Sequence, residues 1–340
     1  MRQITSKRAS ATPAVAALDL GTNSFLLLLL RENAGGGLER VSEACRIVRL
    51  GQDVGRTGRL APAAIARGLA AVRELWAETP WAGTAGVGIA AATSAVRDAA
   101  NRDEFLAPCA EILGSRPLLL SGADEARTVF AGASSELPPG QSCVCLDIGG
   151  GSTELAAGFA GDYRAGLSVN VGCVRLAERF GLENAAAPAA MAAARAAITT
   201  ALAPPCAQVL RTAFADSATS AFTGPAPAVW ATGGTANTAA SALTAGACRG
   251  VFDHHTRLSA NEVEATALRL LTLDAAARAR QPGVPTDRAA VLPTGMLILA
   301  GALRLLGAAE ATVSTRGLRY GLALRLRAGA LAPVWRWPRA

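Results

Sequence analysis

Lysine is almost absent. Lys7 stands alone, and every other basic residue is arginine. This excludes a G-x-x-x-x-G-K-[ST] phosphate loop, a Schiff-base lysine and a lysine general base beyond the N-terminal tail. Aromatic residues make up only 4% of the chain and no block interleaves them with arginine, so the stacking platforms of a single-strand nucleic-acid binder are missing. The seven cysteines, at positions 45, 109, 143, 145, 173, 206 and 248, contain no C-x-x-C pair, and only His254 and His255 could join them. That argues against zinc. Thiols scattered through apolar runs read instead as reduced core residues of a cytoplasmic protein. Long hydrophobic runs are lacking too. The apolar stretch from Phe25 to Leu30 is too short to span a bilayer, and Asp19, Thr22, Asn23 and Ser24 interrupt what precedes it. Neither a membrane nor a nucleic acid is expected as a partner; a homodimer stays open.

What is present suits two domains. The chain has 340 residues, 51% of them hydrophobic, and a net charge of +7, which favours anionic partners. Two stretches resemble one another at an offset of 128 residues: ALDLGTNSFLL (17–27) and CLDIGGGSTEL (145–155). Asp19 aligns with Asp147 and Gly21 with Gly149. Each reads as a strand, a glycine turn and a returning strand, with a third strand following at 41–50 and at 164–172. Helices are expected at 61–78, within AVRDAANRDEF (95–105), after the strand 116–121, at 184–214, and at 258–273, where Ser259 and Glu262 have capping-box spacing. Residues 83–94 read as a strand, 228–243 as strand, glycine turn and helix, and 310–326 as strand then helix, giving a duplicated βββαβαβα order and mixed sheets. Cys143 and Cys145, two apart on a strand, should share one buried face.

The glycine turns carry the chemistry. Without large side chains, their backbone N–H groups can approach phosphate oxygens. Gly21, Thr22, Asn23 and Ser24 form one turn, and Gly149, Gly150, Gly151, Ser152 and Thr153 the other. Asp147 and Glu154 flank the second. Carboxylates beside phosphate repel it unless a divalent cation lies between, so Asp147 and Glu154 are the candidate metal ligands, with Mg²⁺ or another divalent cation the expected cofactor. Gly233, Gly234 and Thr235, in ATGGT, either bind a further phosphate or let strand and helix pack closely. Arg97 either clamps phosphate or forms a surface ion pair with Asp98 or Glu104. His254 and His255 read as a structural loop element.

Six ordered motifs, LDLGTNSF, ATSAVRDAANRDEF, SGADEAR, LDIGGGSTEL, ATGGT and STRGLRYGL, resemble the exopolyphosphatase / guanosine pentaphosphate phosphohydrolase family over residues 14–326. The resemblance implies an α/β fold of two related actin-like (ribonuclease H-like) domains, each a mixed five-stranded sheet with flanking helices, and an active site in the interdomain cleft. The expected division is a disordered tail to residue 12, domains at 13–136 and 137–310, a final strand and helix at 311–330 that can pack back on the first domain, and a tail at 331–340. It also implies Glu125 as the base that activates water, with Asp147 and Glu154 completing the catalytic set. The expected reaction is phosphate release from inorganic polyphosphate or guanosine pentaphosphate. A kinase of the same fold and a non-catalytic alarmone-binding protein are the alternatives. Leu26 departs from the Arg or His many relatives carry there, and Ala123–Asp124 departs before Glu125. The short two-domain form, without the added helical domain of longer relatives, is the form expected, and shorter polyphosphates are the expected preference.

Overall fold

The computed structural model describes residues 14–33, 35–77, 86–214, 227–245 and 254–337. The expected N-terminal tail and Cys248 lie outside these residues. In chain order the first half forms β1 (Ala14–Leu20), β2 (Ser24–Glu32), β3 (Leu38–Ile47), α1 (Val54–Thr57), α2 (Pro62–Ala77), β4 (Gly86–Ala92), α3 (Ser94–Asp98), α4 (Asp103–Leu113), β5 (Leu118–Leu119) and α5 (Gly122–Ala133). The second half forms β6 (Ser142–Ile148), β7 (Thr153–Phe159), β8 (Asp162–Val169), α6 (Cys173–Phe180), α7 (Pro188–Phe214), β9 (Ala228–Thr232), α8 (Gly233–Leu243), β10 (Arg257–Ser259), α9 (Ala260–Leu271), α10 (Ala275–Ala279), α11 (Leu292–Leu305), β11 (Glu310–Val313), α12 (Leu318–Arg327) and β12 (Trp335–Trp337).

The duplication is visible in the topology. In one sheet β3, β2, β1, β4 and β5 lie side by side, and in the other β8, β7, β6, β9 and β11. In both, only the second strand of the hairpin runs against the rest. Each sheet has six strands rather than the expected five, because each five-strand unit gains one antiparallel edge strand: β12 on β4, and β10 on β11. Thus part of the segment expected as a C-terminal tail is a strand of the first sheet. Trp335 lies against Gly88, where no side chain could fit, and meets the Trp76 ring edge-on at 5.3 Å.

Three apolar cores follow from covering both faces of two sheets. One fills each lobe on its outer side. The third lies between the lobes and takes Val15, Leu28 and Ile89 from one sheet, Cys143 and Cys145 from the other, and α5 and α12. The shared-face expectation for the two cysteines is therefore met. Cys45, by contrast, is exposed on the edge strand β3 and is no core thiol. Helices α5 and α12 cross at bare backbone. A side chain at Gly132 or Gly321 would strike the opposite helix, so glycine sets their close approach.

Two local expectations fail for identifiable reasons. The helix expected through 95–105 is broken between α3 and α4, because the Asn101 side chain pairs with both backbone groups of Leu60, Oδ1 accepting at 2.8 Å and Nδ2 donating at 3.0 Å. A buried amide mimics a backbone partner there and competes with the helix. The Ser259 capping box does not form, since the hydroxyl accepts no bond from the first turn of α9. Among the described residues no helix is long and apolar enough to cross a membrane.

Candidate active site

The two glycine turns face one another across the cleft, and their backbone bonding explains what they offer. In the second turn the carbonyls point backwards into α6: Cys173 N–H donates to Gly149 O at 2.9 Å, and Val174 and Arg175 N–H donate to Gly150 O at 2.9 and 3.1 Å. In the first turn Gly51 N–H takes Thr22 O, and Val48 and Arg49 N–H take Asn23 O. With their carbonyls occupied, the N–H groups of Thr22, Asn23, Gly150 and Gly151 have no acceptor among the described residues. Such orphaned donors in a turn form a concave anion-binding surface.

The sheet registers place the acids. Asp147 at the end of β6 pairs with Glu154 on β7, which pairs with Ser168 on β8; Thr232 on β9 flanks Asp147 on its other side. The equivalent row in the first sheet is Cys45, Leu26, Asp19 and Ala91. The row is polar in one lobe and largely apolar in the other, and Leu26 occupies the position matching Glu154. Glu154 is 2% exposed, and its Oε1 accepts from Ser152 and Ser168, each at 2.7 Å. Gly233 adopts φ 80° and its missing side chain makes room for the Asp147 carboxylate. Burial pushes Asp147 up to about 8, helped by the charges of Glu154 and Asp19 and opposed by Arg319. Burial likewise pushes Asp19 up to about 7, against the Arg319 guanidinium.

Glu125 is not the exposed first-turn residue its helix position suggests. It is 5% exposed, and Arg97 donates to its Oε2 at 2.7 Å. The same guanidinium reaches Leu120 O at 3.1 Å and Ser168 Oγ at 3.5 Å. Arg97 therefore pairs with neither Asp98 nor Glu104, and it orients Glu125. Burial, followed by the Glu154 charge, holds Glu125 well above the usual carboxylate range, with Arg97 pulling down.

Most of the sequence candidates converge. Gly21, Thr22, Asn23, Ser24, Glu125, Asp147, Gly149, Gly150, Ser152, Glu154, Gly233 and Gly234 line one cavity of about 80 Å³. Gly151 lies behind it. Two hydroxyls are turned away: Thr153 Oγ1 donates to Val171 O at 2.5 Å and Thr235 Oγ1 to Ile148 O at 2.8 Å. Both side chains are buried and committed to backbone, so neither is a free phosphate donor.

Four residues of the cleft escaped the sequence reading. Asp19 lines it, 9% exposed, with Oδ1 unpartnered; its alignment with Asp147 was the available signal. Arg288 reaches Ser24 Oγ at 3.4 Å and lies over Gly234. Arg319 acts electrostatically on both aspartates. Ser168 holds Glu154. Arg319 lies within the motif STRGLRYGL and Ser168 on the strand next to Glu154, whereas Arg288 is brought in from a remote part of the chain.

Asp19, Asp147 and Glu154 suit a hard divalent cation chemically. They offer oxygen donors, Asp19 and Glu154 are buried and Asp147 is half-buried, and Asp19 carries an orphaned carboxylate oxygen. Their oxygens do not close on one point as a trio. Among the described residues the group with ligand atoms all within 4.8 Å is Glu136, His254 and His255. There, however, His254 Nδ1 accepts the Thr315 N–H at 3.1 Å while Nε2 meets Glu136. With Nδ1 an acceptor, the ring proton belongs on Nε2, where a metal would have to bind. His254 thus ties Glu136 to the backbone of Thr315.

A second cavity of about 380 Å³ adjoins the first, with Leu26, Ala44, Ile47 and Leu318 among its walls. Thr232 Oγ1 and Asn237 Oδ1, both unpartnered, face this region from β9 and α8.

Solved structures share this fold. An exopolyphosphatase-like protein is 29% identical with a TM-score of 0.78, covering 94% of this chain and 100% of that one. A Ppx/GppA family member of Aquifex aeolicus is 23% identical, TM-score 0.73, covering 94% and 99%. An exopolyphosphatase from Cytophaga hutchinsonii is 21% identical, TM-score 0.80, covering 93% and 98%. By sequence, 178 residues are 45% identical to exopolyphosphatase 2 of Mycobacterium tuberculosis, spanning 50% of this chain and 55% of that protein, so the match covers about half the length of this relative. The Ppx/GppA phosphatase family profile matches residues 29–328, and the chain belongs to that family.

Proposed function

We propose that the protein is an exopolyphosphatase that releases the terminal phosphate of inorganic polyphosphate. The observation that carries this is the pair of glycine turns presenting unpaired N–H groups across a cavity lined by buried carboxylates. The turns hold oxygens of adjacent phosphoryl groups, and Arg288 supports the next one at the cleft mouth. Glu125, its carboxyl held well above the usual carboxylate range by burial, takes a proton from a water that attacks the terminal phosphorus. The bond from that phosphorus to the bridging oxygen breaks in line, giving orthophosphate and a chain one unit shorter. Arg97 fixes the Glu125 carboxylate, and Ser152 and Ser168 fix Glu154. Asp19, Asp147 and Glu154 are the residues that would hold Mg²⁺. When bound, the ion offsets the charge of carboxylates and phosphate oxygens.

Phosphate release from polyphosphate tests the reading, with Glu125→Gln lowering kcat about 10²–10⁴-fold, the range of a lost general base. An equally active Gln variant sinks the assignment of Glu125. Phosphate transfer to a sugar, seen only with ATP, points to a kinase instead; binding without turnover points to a non-catalytic role. Guanosine pentaphosphate is a second substrate reading, favoured by the adjoining cavity, whose apolar wall and unpartnered Thr232 and Asn237 atoms suit a nucleoside. Side-by-side kcat/KM values for the two substrates decide between them.

A further inference from the structure

Between the lobes, behind the glycine turns, one arginine bonds to both sides. Arg175 sits in the first turn of α6. Its Nε donates to Gly151 O at 2.8 Å, and its guanidinium pairs with Asp98 Oδ2 at 2.6 Å on α3 of the other lobe. Both side chains are about three-quarters buried, at 23% and 25% exposure. One turn further along α6, Glu178 Oε1 accepts the N–H of Asp53, also from the first lobe, at 3.1 Å.

The placement of Arg175 matters because of what surrounds it. The start of α6 already takes the carbonyls of Gly149 and Gly150, and Arg175 takes the third, on Gly151. The backbone bonds to Gly149 O and Gly150 O fix the peptide planes that carry the N–H groups of Gly150 and Gly151, and the Arg175 bond to Gly151 O fixes the next plane, between Gly151 and Ser152. Helix α3, the other partner, holds the rest of the site within five residues. Ala95 N–H donates to Thr22 Oγ1 of the first turn at 3.2 Å, Arg97 fixes Glu125, and Asp98 receives Arg175. Ser94 packs where any side chain at Gly151 would lie.

We propose that Asp98 and Arg175 form an interlobe latch that positions the second phosphate turn against the first turn and Glu125. This rests on the phosphohydrolase reading above. Closure of the lobes forms the Asp98–Arg175 pair. The same guanidinium then holds the Gly151 carbonyl, so closure fixes the last peptide plane of the second turn, between Gly151 and Ser152, against the first lobe. Neither residue touches the reacting atoms; both are positioning residues.

The test is a double-mutant cycle with Asp98→Ala, Arg175→Ala and the double variant, assayed on polyphosphate and followed by hydrogen exchange across residues 149–152. Each single change is expected to lower kcat about 10–100-fold, the scale of a small misplacement of reacting groups. Melting temperatures should stay within about 4 °C of the parent. The double variant should be no more than about twofold worse than Arg175→Ala, because one unit is lost only once. Asp98→Glu should recover most of the rate. Arg175→Lys should not, since a single ammonium cannot hold Asp98 and Gly151 O in the arginine fork. Exchange at 149–152 should quicken in Asp98→Ala as well as in Arg175→Ala. Additive losses, or unchanged exchange at 149–152 in Asp98→Ala, overturn the latch. If the parent protein releases no phosphate, the functional reading fails, and the exchange measurement still decides the latch.

Discussion

The acid pair at the heart of the cleft is a balance between burial and charge. Asp147 and Asp19 lie far above the usual carboxylate range, at about 8 and about 7, because burial penalises their ionised forms. The folded protein therefore binds more protons than the unfolded chain from about pH 4 up to these values. Each raised group contributes stability that is present at low pH and lost as pH rises through its folded value. With divalent cations chelated, the melting temperature should fall as pH rises from 5 to 8, and Asp147→Asn should flatten that fall. At pH 8 added Mg²⁺ should raise the melting temperature of the parent but not of Asp147→Asn, since a ligand stabilises only the state that binds it. An equal rise in both proteins counts against Asp147 as a ligand. Of these acids, the sequence marked Asp147, Glu154 and Glu125 by motif. It passed over Asp19, although the internal repeat had already aligned it with Asp147. At the same offset Leu26 aligns with Glu154, and the strand register sets Leu26 opposite Asp19 just as Glu154 stands opposite Asp147.

Among the connecting elements, the segment before α11 depends on one buried cation. Arg278, on α10, is fully buried and has no carboxylate in hydrogen-bond contact among the described residues. It donates instead to carbonyls that include Leu182 at 3.0 Å, Glu183 at 3.1 Å and Ala290 at 3.2 Å. Those bonds tie the start of the 183–187 connection to the stretch that carries Arg288 into the cleft. Replacing Arg278 by Met leaves several acceptors unsatisfied and should cost on the order of 3–5 kcal/mol in urea denaturation. The Arg288 position should loosen with it, so KM for polyphosphate should rise too. A loss below about 1 kcal/mol would show that water replaces the guanidinium. No periodicity announces such a residue. An arginine inside an Ala-rich segment reads as a solvated helix face until the fold encloses it.

Across the whole molecule, the chain end closes the first sheet. β12 occupies the N-terminal half of the outer edge of β4, and β5 the C-terminal half. Trp335→Ala removes a ring packed on Gly88 and Trp76 and should cost about 3–5 kcal/mol, the usual range for deleting a buried large aromatic side chain. If chemical denaturation detects no loss, the strand is ornamental. Asp147 is distant from this edge, so the two substitutions should be additive within about 0.5 kcal/mol.

The repeated D-x-G turns, the strand on either side of each and the placing of Asp147 and Glu154 on opposite limbs of one hairpin were determined by sequence alone, because alternating apolar residues mark the strands and glycine marks the turn. Tertiary structure alone decided that Thr153 and Thr235 spend their hydroxyls on backbone, that Arg97 holds Glu125, and that Arg175 and Arg288 span the cleft. Arg288 lies 264 residues from Ser24 along the chain. Contacts of that separation depend on how two lobes close on each other, and no local pattern of polarity or turn chemistry encodes that closure.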